Sequence, residues 1–118
     1  MGMHHIGINV SSLEDSKEFY HNHFGFEEEF STAMGSEHIL FLTQGENRLE
    51  LIHETGTEPS PSPHVHFAWE VRDIEAEIKR LSHQGLKPTE GPIQLPNGWK
   101  AVFYRGPDGE LIELIAIK

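Results

Sequence analysis

The chain contains no cysteine. That absence excludes disulfides, thiolate metal sites and thiol nucleophiles together, so any metal must rest on histidine and carboxylate ligands. Basic residues are scarce: 9 Lys and Arg stand against 19 Asp and Glu, for a formal charge of −10. A surface this acidic repels phosphate backbones and anionic lipid. Nucleic acid and membrane are therefore set aside as partners, which leaves a small molecule as the expected ligand. The acids are scattered rather than massed, the pattern of a solvated surface. No apolar run approaches the length of a bilayer span. Met1-Gly2-Met3-His4-His5 lacks a basic segment followed by an apolar one, so no export signal is expected and a cytoplasmic location follows by default.

What is present is a globular composition, 36% hydrophobic and 24% charged over 118 residues, enough for one compact domain. Two halves repeat the same order of signals: module 1 covers residues 1–54, module 2 covers 64–118, and the segment 55–63, with three prolines, links them. In the first half His4 to Val10 reads as a strand. Ser12 is a helix N-cap with Asp15 three residues on, and an amphipathic helix runs from Leu13 to about His23, ending near Gly25. Strand-like stretches follow at Phe26 to Ala33, His38 to Thr43 and Arg48 to His53. In the second half His64 to Val71 alternates strictly. Asp73 caps a helix whose Ile74, Ile78 and Leu81 follow helical spacing, and Gly85 stops it. Pro88 to Gln94, Trp99 to Arg105 and Glu110 to Lys118 read as strands, the last preceded by the turn Pro107-Asp108-Gly109. Each half thus reads strand, helix, strand, strand, strand. A repeat of this kind points to an α+β fold of two βαβββ modules sharing a sheet or barrel.

Side chains alternate across a strand, so parity assigns faces. Ile6, Ile8 and Val10 are expected under the first helix, which leaves His5, Gly7 and Asn9 opposite. Val65, Phe67 and Trp69 take the helix side of the fifth strand, leaving His64, His66 and Ala68. Leu49 and Leu51 pack, leaving Arg48, Glu50 and Ile52. In the last strand Glu113 shares a face with Leu111 and Ile115. His5, Glu50, His66 and Glu113 therefore all fall on the face away from the helices. Glu113 stands out because it interrupts an otherwise wholly apolar run from Leu111 to Ile117, and a lone buried carboxylate costs several kcal/mol unless it is paired or metal-bound.

Taken singly, each of these four reads as an ordinary exposed or structural residue. The repeat raises them: His5 to His66 spans 61 positions and Glu50 to Glu113 spans 63, so each half contributes one His early and one Glu late. Two imidazoles and two carboxylates suit one divalent ion such as Ni, Zn, Co or Mn, with a position left for water or substrate. Other histidines fit the pattern less well. His4 has the packed-side parity, His64 suits a supporting or substrate contact, and His21, His23 and His83 lie near helix ends, where a cation complements the dipole.

His5-Ile6-Gly7-Ile8-Asn9-Val10, then Phe19-Tyr20 and Phe24-Gly25-Phe26, resemble the opening signature of the vicinal oxygen chelate superfamily, which includes glyoxalase I. His66-Phe67-Ala68-Trp69-Glu70-Val71-Arg72-Asp73 and Gly106-Pro107-Asp108-Gly109 before Ile112-Glu113-Leu114 resemble its second half. The resemblance implies paired βαβββ modules in an open, curved mixed sheet around a metal held by His5, Glu50, His66 and Glu113. The complete His/Glu/His/Glu set resembles glyoxalase I. That implies conversion of a 2-oxoaldehyde–thiol hemithioacetal to a 2-hydroxyacyl thioester through a metal-stabilised enediolate, with Glu113 as first candidate for the base and Glu50 as its near-symmetric partner. A methylmalonyl-CoA epimerase-like enzyme and a non-catalytic binding or resistance protein are the alternatives. The first strand carries Asn9 where glutathione-using glyoxalases often place an arginine, and Arg48, Arg72 and Arg105 have no assignment. A homodimer is expected, with the site built within one chain or across two.

Overall fold

The computed structural model describes residues 1–118 throughout, and the packing divides the chain into two units, Met1–Ser60 and Pro61–Lys118. Unit 1 holds β1 (Ile6–Asn9), α1 (Leu13–Phe24), β2 (Glu27–Met34), β3 (Glu37–Gln44) and β4 (Asn47–Glu54). Unit 2 holds β5 (Phe67–Glu70), α2 (Ile74–His83), β6 (Glu90–Gln94), β7 (Lys100–Arg105) and β8 (Leu111–Ala116). Each unit is a βαβββ module with its own four-stranded mixed sheet, ordered β1-β4-β3-β2 and β5-β8-β7-β6.

The capping signals act as read. Ser12 Oγ accepts from the Asp15 N–H at 3.1 Å and Asp73 Oδ1 from the Ala76 N–H at 3.0 Å, contacts worth about 1 kcal/mol each. Gly25 closes α1 at φ 74°, with its N–H donating to the His21 carbonyl at 3.1 Å. That left-handed conformation costs glycine no Cβ clash. In each unit the helix and two hairpin strands form the crossover that lets the first strand lie parallel to the last, β1 on β4 and β5 on β8.

One face of each sheet is apolar and covered. Leu40, Leu42, Leu49 and Leu51 are buried with Val10, Tyr20 and Phe26 in unit 1. Val102, Tyr104, Ile112, Leu114 and Ala116 are buried with Ile74 and Leu81 in unit 2. The other face of each sheet is left for chemistry.

Two strands start later than their alternation predicts. β1 begins at Ile6 and β5 at Phe67, because the parallel ladders begin at Ile6↔Leu49 and Phe67↔Ile112. Val65, expected on the helix side, precedes the ladder and is 68% exposed. His4, given packed-side parity, is likewise exposed ahead of the ladder. Trp69 is half-buried, its ring 5.1 Å from that of Phe67.

The Tyr104 hydroxyl is buried without a hydrogen-bond partner, and burial pushes the phenol above its ordinary value of 10.0. The folded state therefore favours the neutral phenol. Its contribution to stability is complete below pH ~10 and falls as pH rises above that value. Tyr104→Phe removes a hydroxyl that has no partner, so it is expected to leave stability at pH 8 unchanged or raised by up to about 1.5 kcal/mol. The variant should also lose less stability than the parent between pH 8 and 11. Urea unfolding at both pH values measures this, and a clear loss at pH 8 would show that the hydroxyl is satisfied in solution.

Candidate metal centre

The parallel pairing β1–β4 places residues more than forty positions apart side by side. Gly7 is the Cα partner of Glu50, and His5 lies two residues before Gly7, on the same side of the chain. His5 Nε2 stands 3.3 Å from Glu50 Oε1. A Cβ on Gly7 would sit 2.9 Å from that carboxylate oxygen, so the glycine supplies the space the carboxylate occupies.

Unit 2 repeats the arrangement. Ala68 is the Cα partner of Glu113, His66 lies two residues before Ala68, and His66 Nε2 stands 2.8 Å from Glu113 Oε1, with the imidazole N–H donating to the carboxylate. Glu113 is only 9% exposed, lying between Ile112 and Leu114 in sequence. The imidazole is the polar group that offsets part of its desolvation. The open face of each sheet thus carries one His–Glu pair, and within the chain no group of three or more His, Asp or Glu side chains is arranged to hold a metal ion.

Phe41 faces Glu50 across the β3–β4 ladder, and Phe103 faces Glu113 across β7–β8. Their rings meet the histidines, Phe41 at 5.3 Å from His5 and Phe103 at 6.1 Å from His66. Sequence reasoning passed over both phenylalanines. The signal was available in their parity on β3 and β7 and in their matching places in the repeat.

Arg48 also gains a role. β2 carries a register shift between Glu28 and Phe30, which leaves Glu29 as the extra residue of a bulge. Arg48 grips Glu29 with two bonds, Nε to Oε1 at 3.0 Å and Nη2 to Oε2 at 3.1 Å, and its Nη1 donates to the His4 carbonyl at 3.3 Å. The guanidinium hydrogen bond holds the Glu29 carboxyl below the usual range. Arg48 therefore ties the segment carrying His5 to the far edge of the sheet. In unit 2 the segment before His66 has only a local contact of this kind, Ser62 Oγ accepting from the His64 N–H at 3.2 Å. Arg105 turns to the Gly109 carbonyl at 2.9 Å.

The repeat and the topology agree with a family comparison: the pattern of the glyoxalase/bleomycin resistance protein/dioxygenase superfamily matches residues 2–114. The chain belongs to this superfamily. An uncharacterized Bacillus subtilis protein, YwbC of strain 168, is 31% identical over 116 residues, 92% of each chain. A glyoxalase family protein from Enterococcus faecalis shares the fold with TM-score 0.82 and 30% identity over 97% of this chain and 96% of that one. A glyoxalase I variant from Zea mays has TM-score 0.82 at 24% identity, over 96% of this chain and 44% of that longer one, a likeness of fold. No helix is long and apolar enough to cross a membrane.

Proposed function

We propose that His5, Glu50, His66 and Glu113 together hold one divalent ion, and that the protein is a metal-dependent enzyme of the glyoxalase I type. The observation that carries this is the repeated half site: one imidazole nitrogen and one carboxylate oxygen on the open face of each sheet, 3.3 Å and 2.8 Å apart. Two ligands about 2.0–2.2 Å from a metal and at 90–110° to each other lie about 2.8–3.5 Å apart. The His5–Glu50 and His66–Glu113 pairs both fall within this spacing. A pair alone is too few ligands for a catalytic site. A catalytic ion would draw on both half sites, within one chain or across a homodimer.

A bound Ni, Zn, Co or Mn ion supplies Lewis-acid polarisation of two adjacent substrate oxygens. The chain's own part is proton transfer. The Glu113 carboxylate takes the proton from the carbon bearing the hydroxyl and thiol, and returns it to the neighbouring carbonyl carbon. The hydroxyl proton passes from the first oxygen to the second, so the first carbon ends as a thioester carbonyl and the second as an alcohol, and the isomerisation balances without an outside oxidant or reductant. Glu113 suits this task because its carboxylate is nearly buried yet reaches the open face beside His66, which limits the water around it. The epimerase alternative would use the two carboxylates in turn, Glu113 or Glu50 taking the proton from one face of a carbon and the other returning a proton to the opposite face.

The test is metal loading. Stripped by chelator and offered Ni, Co, Zn and Mn in turn, the protein is expected to take up about one tight ion per chain. Each loaded form is then assayed for isomerisation of methylglyoxal hemithioacetals and for methylmalonyl-CoA epimerisation. Failure to bind any ion stoichiometrically would overturn the metalloenzyme and leave a small-molecule binding protein.

Gly7→Ala gives a sharper check. The new Cβ meets the far end of a flexible side chain, so stability should change by less than about 1 kcal/mol. The displaced Glu50 carboxylate should nonetheless lower metal affinity about 10- to 100-fold. Chelator competition and thermal unfolding, run in parallel, separate the two effects. Unchanged affinity would remove Glu50 from the ligand set.

A further inference from the structure

The open face of unit 1 carries an aromatic row that the metal does not need. Glu50 faces Phe41, and Phe41 faces Phe30 on the edge strand β2. The Phe30 and Phe41 rings stack with centroids 5.0 Å apart and planes 19° from parallel, while His5 meets Phe41 edge-on at 5.3 Å and 88°. Phe30 is 51% exposed. A stack that begins at the His5–Glu50 pair and ends in solvent presents apolar ring surface beside the place where substrate oxygens would be held.

The unit that carries it has a one-sided charge. Residues 1–60 hold eleven acidic side chains and two basic ones, Lys17 and Arg48, a formal charge of −9. Both bases are engaged: Lys17 Nζ lies 3.3 Å from Glu28 Oε1, and Arg48 is bound to Glu29 through two bonds. In the metal-free protein a carboxylate or phosphate brought to this unit would meet net repulsion and no side-chain cation free of an acidic partner.

We infer that Phe41 and Phe30 are specificity-determining residues that receive a flat, uncharged aromatic substituent of the substrate, and that anionic groups are turned away from this face. The substrate class is then an aryl compound with two adjacent oxygens, its ring on the Phe41–Phe30 wall. The metal-linked half of this assignment rests on the function proposed above; the wall itself does not.

Two arms keep those apart. In the first, metal-free protein is titrated with benzyl alcohol and with benzoate while the ring resonances of Phe30 and Phe41 are followed by NMR. Benzyl alcohol should shift both rings and benzoate neither. Equal shifts with the two probes, or none with either, would overturn the wall. In the second arm the metal-loaded protein is titrated calorimetrically with acetohydroxamate, benzohydroxamate and 4-carboxybenzohydroxamate, which all present two adjacent oxygens. Benzohydroxamate should bind about 3- to 10-fold more tightly than acetohydroxamate, the range of one good aromatic contact. That preference should vanish with the para-carboxylate and in Phe30→Ala and Phe41→Leu. Phe30 lies on an exposed edge strand, so its variant keeps the fold. Equal binding of all three hydroxamates to loaded protein would refute the specificity assignment alone. Failure to load metal would refute the proposed function, and the metal-free arm would still decide the wall.

Discussion

Glu113→Gln is expected to lower turnover by about 10²- to 10⁴-fold, the usual contribution of a positioned general base, while the protein stays folded and keeps its metal. The glutamine amide has nearly the volume of the carboxylate, so the nearly buried position need not repack. Its amide oxygen can still ligate an ion, but it cannot carry a proton between two carbons. The measurement is steady-state kinetics on the metal-loaded variant beside its metal content. Activity within about 10-fold of the parent would place the base elsewhere, with Glu50 the next candidate by the symmetry of the two half sites. Loss of metal together with activity would show that Glu113 is a ligand whose basicity the assay cannot address.

The second large effect concerns sharing. If one ion is held by both half sites, His5→Ala and His66→Ala should each abolish tight binding, with affinity falling on the order of 100-fold or more. Were each His–Glu pair to hold its own ion, each variant would instead lose one site and keep the other. Mixing the two inactive variants after partial unfolding extends the test. Sites built across a homodimer would recover some metal binding, because one of the two interfaces in a mixed dimer has all four ligands. Sites built within a chain would recover none. Unfolding midpoints measured alongside should stay near the parent's, since both histidines are exposed and precede the strands.

Much of this is legible in the sequence. Alternation along His5-Ile6-Gly7-Ile8 and Leu111-Ile112-Glu113-Leu114 placed the four candidate ligands opposite the packed faces. Ser12, Asp73 and Gly25 marked helix ends where the structure has them. Alternation misled at Val65, because a periodic stretch continues past the point where a partner strand is available to pair with it.

The sequence alone determined the two-module repeat, the absence of thiolate chemistry, the near-absence of cations in residues 1–60 and the parity of each candidate ligand, because composition and strand alternation are local properties of the chain. Only the tertiary structure decided which residues become neighbours. The parallel registers set Gly7 beside Glu50 and Ala68 beside Glu113, the bulge at Glu29 gave Arg48 its partner, and the β2–β3–β4 ladder lined Phe30 and Phe41 up with His5. A two-residue period says which face a side chain takes. It carries no information about which distant strand pairs alongside, or in what register, and those depend on the packing of the whole module.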